Sequence, residues 1–350
     1  MFKTPPKNLC ILRLSAIGDV THVLPALRTI QAHWPHTNIT WVIGKAEATL
    51  VNGINGVEFI IFDKSKGLAA YRELKKTLNH RQFDVLLHMQ VSLRSSIASL
   101  MIKAPIRIGF DRRRARNGQW LFTNVKIAEK SSQHVLDSFL EFPRLMGLET
   151  TDPCWDLPIS TGAEHFIESL APTDNRYIAI NACSSNRARN WRNWAIDAYA
   201  AVIDYAYENY GVRTVLTGGP DSLEKNYALQ ITEATRHKPI STVGQTTLPQ
   251  LAALLKRAEV LIAPDTGPAH IATAVNTPVI GLYASSNPKR TGPYRSLTTT
   301  VDKYPQAIAD EFKKDVDHVR WGQRVRNPNV MNLITVQEVK EMLNKILSSR

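Results

Sequence analysis

Residues 258–270 have the sequence AEVLIAPDTGPAH. The first six residues form an apolar run typical of a buried strand, and the apolar residues after His270 predict the start of a helix. A turn at Gly267 then places a helix N-terminus, which carries about half a positive charge, at the end of a strand. Thr266 offers a hydroxyl there, and Gly267 lets a phosphate approach the backbone, so the stretch predicts a site for a phosphorylated molecule, in particular a nucleotide. The alternative is an ordinary strand-to-helix turn with Asp265 or Thr266 as the N-cap.

Length and composition indicate a globular chain of two domains. The chain has 350 residues, and a prior of roughly 150 residues per domain gives two. Hydrophobic residues make up 43% and charged residues 21%, which provides material for a sizeable core. The cysteines at 10, 154 and 183 fit neither a metal site nor a disulfide framework, which favours a reducing cytoplasm. We find no signal-peptide core, and no apolar run approaches the ~20 residues that span a bilayer.

The net charge of +12 predicts an anionic partner, which is a nucleic acid, a membrane surface or an acidic substrate. One basic cluster comprises residues 112–114 and Arg116, and a second comprises Arg187, Arg189 and Arg192. No acidic run near the first cluster is expected to neutralise it, although a solvated loop is the alternative. Nucleic-acid binding is disfavoured because the chain has no helix-turn-helix, zinc-finger or RRM signature.

Short apolar segments alternate with helical patterns in both halves of the chain, which predicts parallel sheets. A stretch rich in Pro, Asp and Thr at 147–160 is the expected linker. Residues 300–334 give no clear pattern, whereas residues 335–347 form a strongly amphipathic helix with Thr335 as the expected N-cap. The predicted strands are 9–14, 39–43, 57–62, 85–89 and 106–110 in the first half, and 177–182, 214–217, 240–242, 258–263 and 279–283 in the second.

These patterns predict the α/β class, with two doubly wound Rossmann-like domains whose parallel sheets face across a cleft. Residues 1–155 form the expected N-terminal acceptor-binding domain, and residues 156–334 the expected nucleotide-sugar-binding domain. Residues 335–350 form a C-terminal helix that we expect to pack back on the N-terminal domain. In doubly wound sheets, ligands bind at the carboxyl ends of the strands.

Three polar segments follow predicted strands and are candidates for chemistry. Asp19 follows the first strand and can accept a proton from a sugar hydroxyl, or it merely complements a helix dipole. Ser184, Ser185 and Arg189 follow the strand at 177–182 and suit a pyrophosphate, or they form a polar loop. Asp221 follows two glycines after the strand at 214–217 and can hold ribose hydroxyls.

Two segments carry a resemblance to a known family. Residues 12–26, LRLSAIGDVTHVLPA, resemble the opening signature of the family 9 glycosyltransferases, the ADP-heptose:lipopolysaccharide heptosyltransferases. Residues 265–274, DTGPAHIATA, followed by PVIGLY at 278–283, resemble the second signature. The resemblance covers nearly the whole chain, and within the family it is greatest to heptosyltransferase I. It implies a GT-B fold, an inverting mechanism, no required metal and no cofactor.

The resemblance also implies roles for individual residues. Asp19 resembles the catalytic base, and Ser184, Ser185 and Arg189 stand where heptosyltransferase I has threonines and a lysine on the pyrophosphate side. Gln133-His134 resembles a Gln-His pair on the acceptor side. The donor-binding residues are then Ser184, Ser185, Arg189, Asp221, Thr246, Asp265, Thr266, Gly267 and His270. The expected acceptor-binding residues are Lys64, Arg94, Arg112, Arg113, Arg114 and His134.

The function implied is transfer of heptose from ADP-heptose to Kdo of the lipopolysaccharide inner core, with Kdo-lipid A, phosphorylated or not, as the acceptor. Fixed cations and helix N–H groups would stabilise the leaving ADP in place of a metal. The enzyme would lie on the anionic cytoplasmic face of the inner membrane, without a nucleic-acid partner. The alternatives are heptosyltransferase II or III, or a GT-B transferase of another nucleotide-linked sugar.

Overall fold

The chain divides into two compact units, Met1–Pro158 and Ile159–Arg350. The computed structural model describes residue 2 and residues 4–150, 152–170, 176–184 and 191–348. The division falls inside the stretch at 147–160 that composition marks as a linker, close to the boundary expected after residue 155. Each unit therefore has its own sheet and its own core.

The first unit contains a six-stranded sheet in which all neighbouring strands are parallel. Its strands are β1 (Asn8–Leu12), β2 (Asn38–Gly44), β3 (Val57–Phe62), β4 (Val85–His88), β5 (Ile106–Gly109) and β6 (Val125–Lys126). Its helices are α1 (Ile17–His33), α2 (Lys45–Val51), α3 (Leu68–Leu78), α4 (Leu93–Ser99) and α5 (Val135–Leu145). The strand order is β3-β2-β1-β4-β5-β6.

The second unit contains another six-stranded sheet, again with parallel pairings throughout. Its strands are β7 (Tyr177–Ile180), β8 (Arg213–Leu216), β9 (Ile240–Ser241), β10 (Leu261–Pro264), β11 (Val279–Tyr283) and β12 (Val301–Asp302). Its helices are α6 (Thr161–Leu170), α7 (Ile196–Tyr210), α8 (Ser222–Ala234), α9 (Leu248–Arg257), α10 (Gly267–Ala274), α11 (Pro288–Thr291), α12 (Tyr304–Phe312) and α13 (Val336–Leu347). The strand order is β12-β11-β10-β7-β8-β9.

The two sheets share one topology. Counted from its own first strand, each has the order 3-2-1-4-5-6, so the order reverses between β1 and β4 in one sheet and between β7 and β10 in the other. The prediction of two doubly wound α/β sheets is confirmed. The edge strands β6 and β12 have two residues each and were not predicted, because so short a segment has no hydrophobic period.

The central strands are apolar because helices cover both faces of each sheet. All four residues of β4, β7 and β10 are buried, as are all five of β11. On one face of the first sheet, α3 contributes Ala70, Leu74 and Leu78 to the same core cluster as Ala98 of α4. Helices α3 and α4 therefore lie on the same face of that sheet.

The C-terminal helix α13 begins with the capping box that the sequence predicts, since Thr335 and Glu338 cap each other's backbone N–H. Its apolar residues Val339 and Leu343 lie in the core of the second unit. Asn344 accepts hydrogen bonds from two tyrosine hydroxyls of α7, at 2.9 and 2.8 Å. We expected this helix to pack on the first unit, but its apolar side is buried in the unit that contains it, because α7 offers a matching surface.

Candidate active site

The turn after β1 leads into α1 and Asp19, and hydrogen bonds fix it from two sides. Gln90, which lies just beyond β4, accepts hydrogen bonds from the backbone N–H groups of Leu14 (2.6 Å) and Ser15 (3.3 Å). From the other side, the Gly44 N–H donates to the Leu14 carbonyl (3.0 Å), and a Cβ at Gly44 would collide with that oxygen. The turn is therefore fixed at the switch point of the first sheet, and Asp19 enters the first turn of α1 from it.

Arg13 forms an ion pair with Asp19 through its Nη2. The guanidinium is buried, donates from Nη1 to the Met89 carbonyl (2.6 Å) and lies over the Phe139 ring, 5.4 Å from its centre. Burial lowers the pKa of Arg13, whereas the carboxylates of Asp19 and Glu47 raise it, and a guanidinium stays charged in proteins. A fixed cation therefore orients Asp19, whose side chain keeps 35% of its surface exposed and can meet a ligand.

Two histidines lie beside this pair. The His22 ring, one turn after Asp19 on α1, meets the His134 ring edge to face at 5.6 Å between centres. His134 is the N-cap of α5, and its Nδ1 accepts from the Leu136 N–H (3.1 Å). The structure thus brings the predicted residue His134 against His22, which lies one helical turn after Asp19. Arg13 and His22 were missed, although both lie inside the stretch 12–26 that carries the resemblance.

Arg114 has acidic and polar partners within the chain. The sequence has no acidic run near the cluster at 112–114, but the expectation that nothing there neutralises it is wrong for Arg114, because a single acid does so. Its Nε is ion-paired with Asp111, which lies two residues after the end of β5. Its other nitrogens donate to the Gln133 side chain (2.7 Å) and to the Ala128 carbonyl (2.5 Å). Arg114 therefore fixes the conformation of its own loop. The sequence does not reveal this pair, because a single acid three residues earlier is also typical of the start of a turn.

Gln133 links Arg114 to Glu141 of α5 through hydrogen bonds of its side-chain amide. The Gln133 amide donates to Glu141 Oε1 (3.0 Å), which also accepts from Lys130 and Arg144 at 2.8 Å each. These hydrogen bonds hold the pKa of Glu141 below its usual value although burial acts to raise it. The segment that carries His134 is thereby fixed on both sides.

The remaining predicted acceptor residues are exposed. Arg112 lies over the Trp120 ring, 5.0 Å from its centre, and Arg113 is 3.7 Å from Glu129 with 65% of its side chain exposed. Lys64 and Arg94 are exposed after β3 and β4, at the same carboxyl edge of the sheet. These side chains can meet an anionic ligand at that edge.

In the second unit, two arginines flank Asp265 after β10. Arg192 Nη1 donates to the Asp265 carbonyl (2.5 Å) and lies 3.4 Å from Oδ2, and Arg324 Nη2 lies 3.6 Å from the same oxygen. Two cations thus face one carboxylate that is only 7% exposed. Neither arginine was predicted. Arg192 had a signal in the second basic cluster, whereas Arg324 lies in the segment 300–334, which gave none.

Buried polar atoms without a hydrogen bond gather at the carboxyl edge of the second sheet. In the part of the chain that the structure describes, Asp265 Oδ2, Thr266 Oγ1, Asn181 Oδ1 and Thr217 Oγ1 have no hydrogen-bond partner, although Asp265 is ion-paired. These residues follow β10, β7 and β8. Buried polar groups nearly always have a partner, so this edge is suited to a polar ligand.

The turn before α10 places the other predicted residues of this loop. Thr266 is the N-cap residue of α10, as the alternative of a strand-to-helix turn expected, but its side chain makes no capping hydrogen bond. Gly267 is the first helical residue, and His270 is buried within the same helix. The hydroxyl of Thr266 is therefore available beside the N–H groups of the helix.

The segment after β7 is described only in part. Ser184 is buried, and its backbone N–H and hydroxyl are 3.0 and 3.4 Å from Asn193 Oδ1. Ser185 and Arg189, both predicted to bind the pyrophosphate, lie outside the residues that the structure describes. Their predicted role stays a prediction.

After β8, Asp221 is the N-cap of α8, and its Oδ1 accepts from the Leu223 N–H (2.8 Å). Glu224, which sequence reasoning missed, is buried and accepts from the Gly219 N–H (2.7 Å), and burial raises its pKa. Thr246 is half-buried on the turn that follows β9. Glu224 is therefore a second carboxylate at the position where a ribose ligand was expected.

The described residues contain no group of three or more His, Cys, Asp or Glu side chains arranged to hold a metal ion. Within the same residues, no helix has both the length and the apolar surface to cross a bilayer. The first unit offers a carboxylate oriented by an arginine, which can accept a proton from a hydroxyl. The second offers arginines and a helix N-terminus, which can hold an anion.

Comparison with known proteins assigns the family. The sequence model of glycosyltransferase family 9 (heptosyltransferase) matches residues 71–318. The chain is 38% identical to the lipopolysaccharide core heptosyltransferase OpsX of Haemophilus influenzae over 99% of both chains. Among solved structures, a family 9 glycosyl transferase from Veillonella parvula has a TM-score of 0.80 at 22% identity, covering 98% of each chain. Heptosyltransferase WaaC of E. coli with ADP has a TM-score of 0.70 at 20% identity, covering 97% of each chain. The chain belongs to glycosyltransferase family 9, the heptosyltransferases, and is a glycosyltransferase.

Proposed function

We propose that this enzyme transfers heptose from ADP-heptose to a Kdo residue of the lipopolysaccharide inner core, with inversion at the anomeric carbon. The name of the Haemophilus relative, a lipopolysaccharide core heptosyltransferase, supports this acceptor class. A solved neighbour was crystallised with ADP and another with ADP-2-deoxy-2-fluoro heptose, which supports the donor. Membership in the family alone leaves both substrates open.

The observation that carries the proposal is the carboxyl edge of the second sheet. Arg192 and Arg324 both lie within 4 Å of a single Asp265 oxygen, at 3.4 and 3.6 Å, so two cations are gathered there. Thr266 Oγ1 has no partner in the described part of the chain and stands at the N-cap of α10. A diphosphate supplies negative charge to the arginines and acceptor atoms to the hydroxyl and the helix N–H groups.

The leaving group makes the same site useful in the reaction. As the bond to the anomeric carbon breaks, negative charge grows on the terminal phosphate of ADP. Arg192, Arg324 and the α10 N–H groups are in place before the reaction, so they stabilise that charge without reorganising. Under this proposal the reaction needs no metal ion and no cofactor. Glu224, beside the turn at Gly219, accepts the ribose hydroxyls.

In the first unit, Asp19 is the proposed general base. It takes the proton from the attacking Kdo hydroxyl, which then forms the bond to the anomeric carbon on the face opposite ADP. Arg13 is a positioning residue, because its guanidinium fixes the carboxylate through the ion pair and is itself fixed by the Met89 carbonyl. The exposed cations Lys64, Arg94 and Arg112 attract the carboxylates and phosphates of the acceptor.

A transfer assay tests the proposal. Purified protein is incubated with ADP-heptose and Kdo-lipid A, with and without a phosphate on Kdo, and the product is identified by mass spectrometry. We expect one heptose to be added to Kdo and its anomeric configuration to be inverted. UDP- and GDP-sugars, and acceptors that already carry one heptose, serve as matched competitors. Transfer only to a heptose-bearing acceptor would assign heptosyltransferase II or III activity, and transfer only from another nucleotide would overturn the proposed donor.

The proposed acceptor is anchored in a bilayer, so we place the enzyme at the cytoplasmic face of the inner membrane as a peripheral protein. The net charge of +12 favours an anionic surface. Cell fractionation in low and high salt tests the location, since a protein held partly by charge is released by salt. Recovery in the cytosol at low salt would contradict it.

A further inference from the structure

Helix α4 has the reverse polarity of an ordinary surface helix. Its buried side consists of three serines and Ala98, whereas its exposed side carries large apolar residues beside Arg94. The serines are Ser95, Ser96 and Ser99, each fully buried, and the exposed apolar residues are Leu93 (57% exposed), Ile97 (37%) and, just after the helix, Leu100 (60%). Positions i, i+4 and i+7 share one helix face, so the exposed apolar residues form one stripe, which we call the α4 stripe.

Hydrogen bonds to the buried side keep the α4 stripe facing outward. Ser95 Oγ donates to the Gln90 carbonyl (3.1 Å), which ties the start of the helix to the end of β4. At the other end, the Arg107 guanidinium donates to Ser99 Oγ (2.9 Å) and to the carbonyls of Ser99 and Ile102 (2.8 Å each). Rotating the helix to bury its leucines would break these bonds, so the exposure is built into the fold.

Two further exposed leucines neighbour this helix. Leu68 is 75% exposed at the start of α3, and the Tyr71 hydroxyl of α3 reaches the Arg94 carbonyl of α4 (3.5 Å). Leu121 is 77% exposed in a 3₁₀ turn at Gln119–Leu121. That turn is joined to α4 because Arg107, which binds the end of the helix, also donates to the Phe122 carbonyl (2.8 Å). Monomeric proteins seldom expose so many large apolar side chains in adjoining segments.

The surrounding charge is strongly positive. Between Lys64 and Lys103 the chain has eight lysines and arginines against two acids, Glu73 and Asp84. Two of the eight cations are ion-paired within the first unit, Lys66 with Glu73 and Arg81 with Glu58. Exposed leucines on one helix face with lysines and arginines around them are the combination by which a protein surface lies in the interface of an anionic bilayer.

We propose that the α4 stripe, together with Leu68, is a docking surface that inserts into the headgroup region of an anionic phospholipid bilayer. The cations around it attract the anionic headgroups, and the leucines enter the boundary with the acyl chains. This inference rests on the proposed function for its biological setting, because a lipid-anchored acceptor has to be met at a bilayer. It adds the surface by which this chain does so.

Flotation of the full-length protein with vesicles tests the inference. Leu93→Ser combined with Leu100→Ser removes two leucines from the stripe. Leu229→Ser combined with Leu297→Ser is the matched control, since those side chains are 55% and 42% exposed in the second unit. On vesicles of phosphatidylethanolamine and phosphatidylglycerol, the stripe variant should bind about tenfold or more weakly than the parent, the factor expected for burying even one leucine side chain. The control variant should bind like the parent.

Three further readouts decide the outcome. Parent protein should bind vesicles of phosphatidylcholine alone more weakly, and added salt should release it from the anionic vesicles. Heptose transfer to a lipid-free Kdo saccharide should be equal in both variants, so failure of docking is distinguishable from failure of the proposed function. Equal vesicle binding by the stripe variant and the parent would overturn the inference. So would a stripe variant whose only change is a smaller molecular mass in sedimentation, which would assign the stripe to contact between copies of this chain.

Discussion

The two units share one strand order, yet the sites at their switch points are prepared differently. After β1, Asp19 is already ion-paired with Arg13, and the turn before it is bonded to Gln90. After β10, Thr266 Oγ1 has no partner in the described part of the chain, and two arginines face one carboxylate, that of Asp265. The first site holds its carboxylate by an internal ion pair, although the buried Arg13 Nε has no hydrogen bond among the described residues. The second site has a hydroxyl without a partner in the same part of the chain and two arginines at one carboxylate.

This difference matches the two tasks proposed. A general base needs a fixed direction, which an internal ion pair supplies before any substrate binds. A binding site for a nucleotide gains affinity when its polar atoms are unsatisfied until the ligand arrives, because the ligand then removes a cost instead of replacing a bond. Substitutions in the first unit should therefore lower stability together with activity, and those in the second should lower affinity alone.

The largest effect is expected at Asp19. Asp19→Asn should lower kcat by roughly 10²–10⁴, the range for loss of a general base, while the affinity for ADP stays unchanged. Steady-state kinetics and calorimetry measure the two quantities. Asp84→Asn is the control, because Asp84 accepts from the Asn8 N–H (2.8 Å) at the amino edge of the same sheet. Near-parental turnover in Asp19→Asn would remove this residue from the mechanism.

Arg13→Gln tests whether the first site is held together internally. Loss of the cation removes the ion-pair partner of Asp19 and the favourable positive charge near the buried Glu47 carboxylate. The free energy of unfolding should fall by about 2–3 kcal/mol, less than for a fully buried pair because Asp19 is 35% exposed. Urea unfolding measures this change. Asp19→Asn in the Arg13→Gln background should cost less than it does alone, and simple additivity would show that the pair is not coupled.

Thr266→Val tests the opposite property of the second site. Its hydroxyl has no partner in the described chain, so its removal should leave stability unchanged or raise it, while ADP binding weakens by about 1–3 kcal/mol. Thr277→Val is the matched control, because the Thr277 hydroxyl donates to the Leu255 carbonyl (2.6 Å). That variant should lose stability and keep its affinity for ADP. Calorimetry measures the affinity for ADP, and thermal unfolding measures stability. Equal changes in both quantities for the two variants would contradict the proposed difference between the sites.

Within the arginine cluster after β5, one substitution should change acceptor binding and another should change stability. Arg112→Ser removes an exposed cation and should raise the acceptor KM about two- to fivefold, with an effect that shrinks in high salt. Arg114→Ser removes the clamp on Asp111 and should lower the free energy of unfolding by about 1–3 kcal/mol. An unchanged acceptor KM in Arg112→Ser at low salt would make this arginine a solvated side chain.

The smallest effect concerns pH and Glu141. Its pKa in the folded chain lies below the ordinary value of 4.5 because Lys130, Arg144 and Gln133 donate to it. The stabilisation by ionised Glu141 is therefore present above pH 4.5 and is lost as the pH falls through the folded-state pKa. Glu141→Gln should lower the free energy of unfolding by about 1 kcal/mol at pH 7, and the difference from the parent should shrink in acid. A difference independent of pH would assign the effect to packing.

The sequence determined the fold class and most of the strands, because strands buried on both faces are continuous apolar runs. It placed Asp19, Asp265 and Thr266 at strand ends, since turns with Gly and polar residues interrupt those runs. It missed Arg324, which lies more than fifty residues from Asp265 in sequence and reaches it because Val325 bonds to Ser285 after β11 (3.1 Å). A contact made through tertiary hydrogen bonds has no local signal.

The sequence by itself thus determined two parallel sheets, the order of their elements and the positions of the polar turns, because these follow from local apolar periods and turn chemistry. Only the tertiary structure decided which polar groups are already used. Arg114 is ion-paired with Asp111, whereas the Thr266 hydroxyl has no hydrogen-bond partner among the described residues. The tertiary structure also turned the serines of α4 inward and Leu93 outward, which the helical period alone does not predict, because the hydrogen bonds from Ser95 and Arg107 fix that face against the sheet.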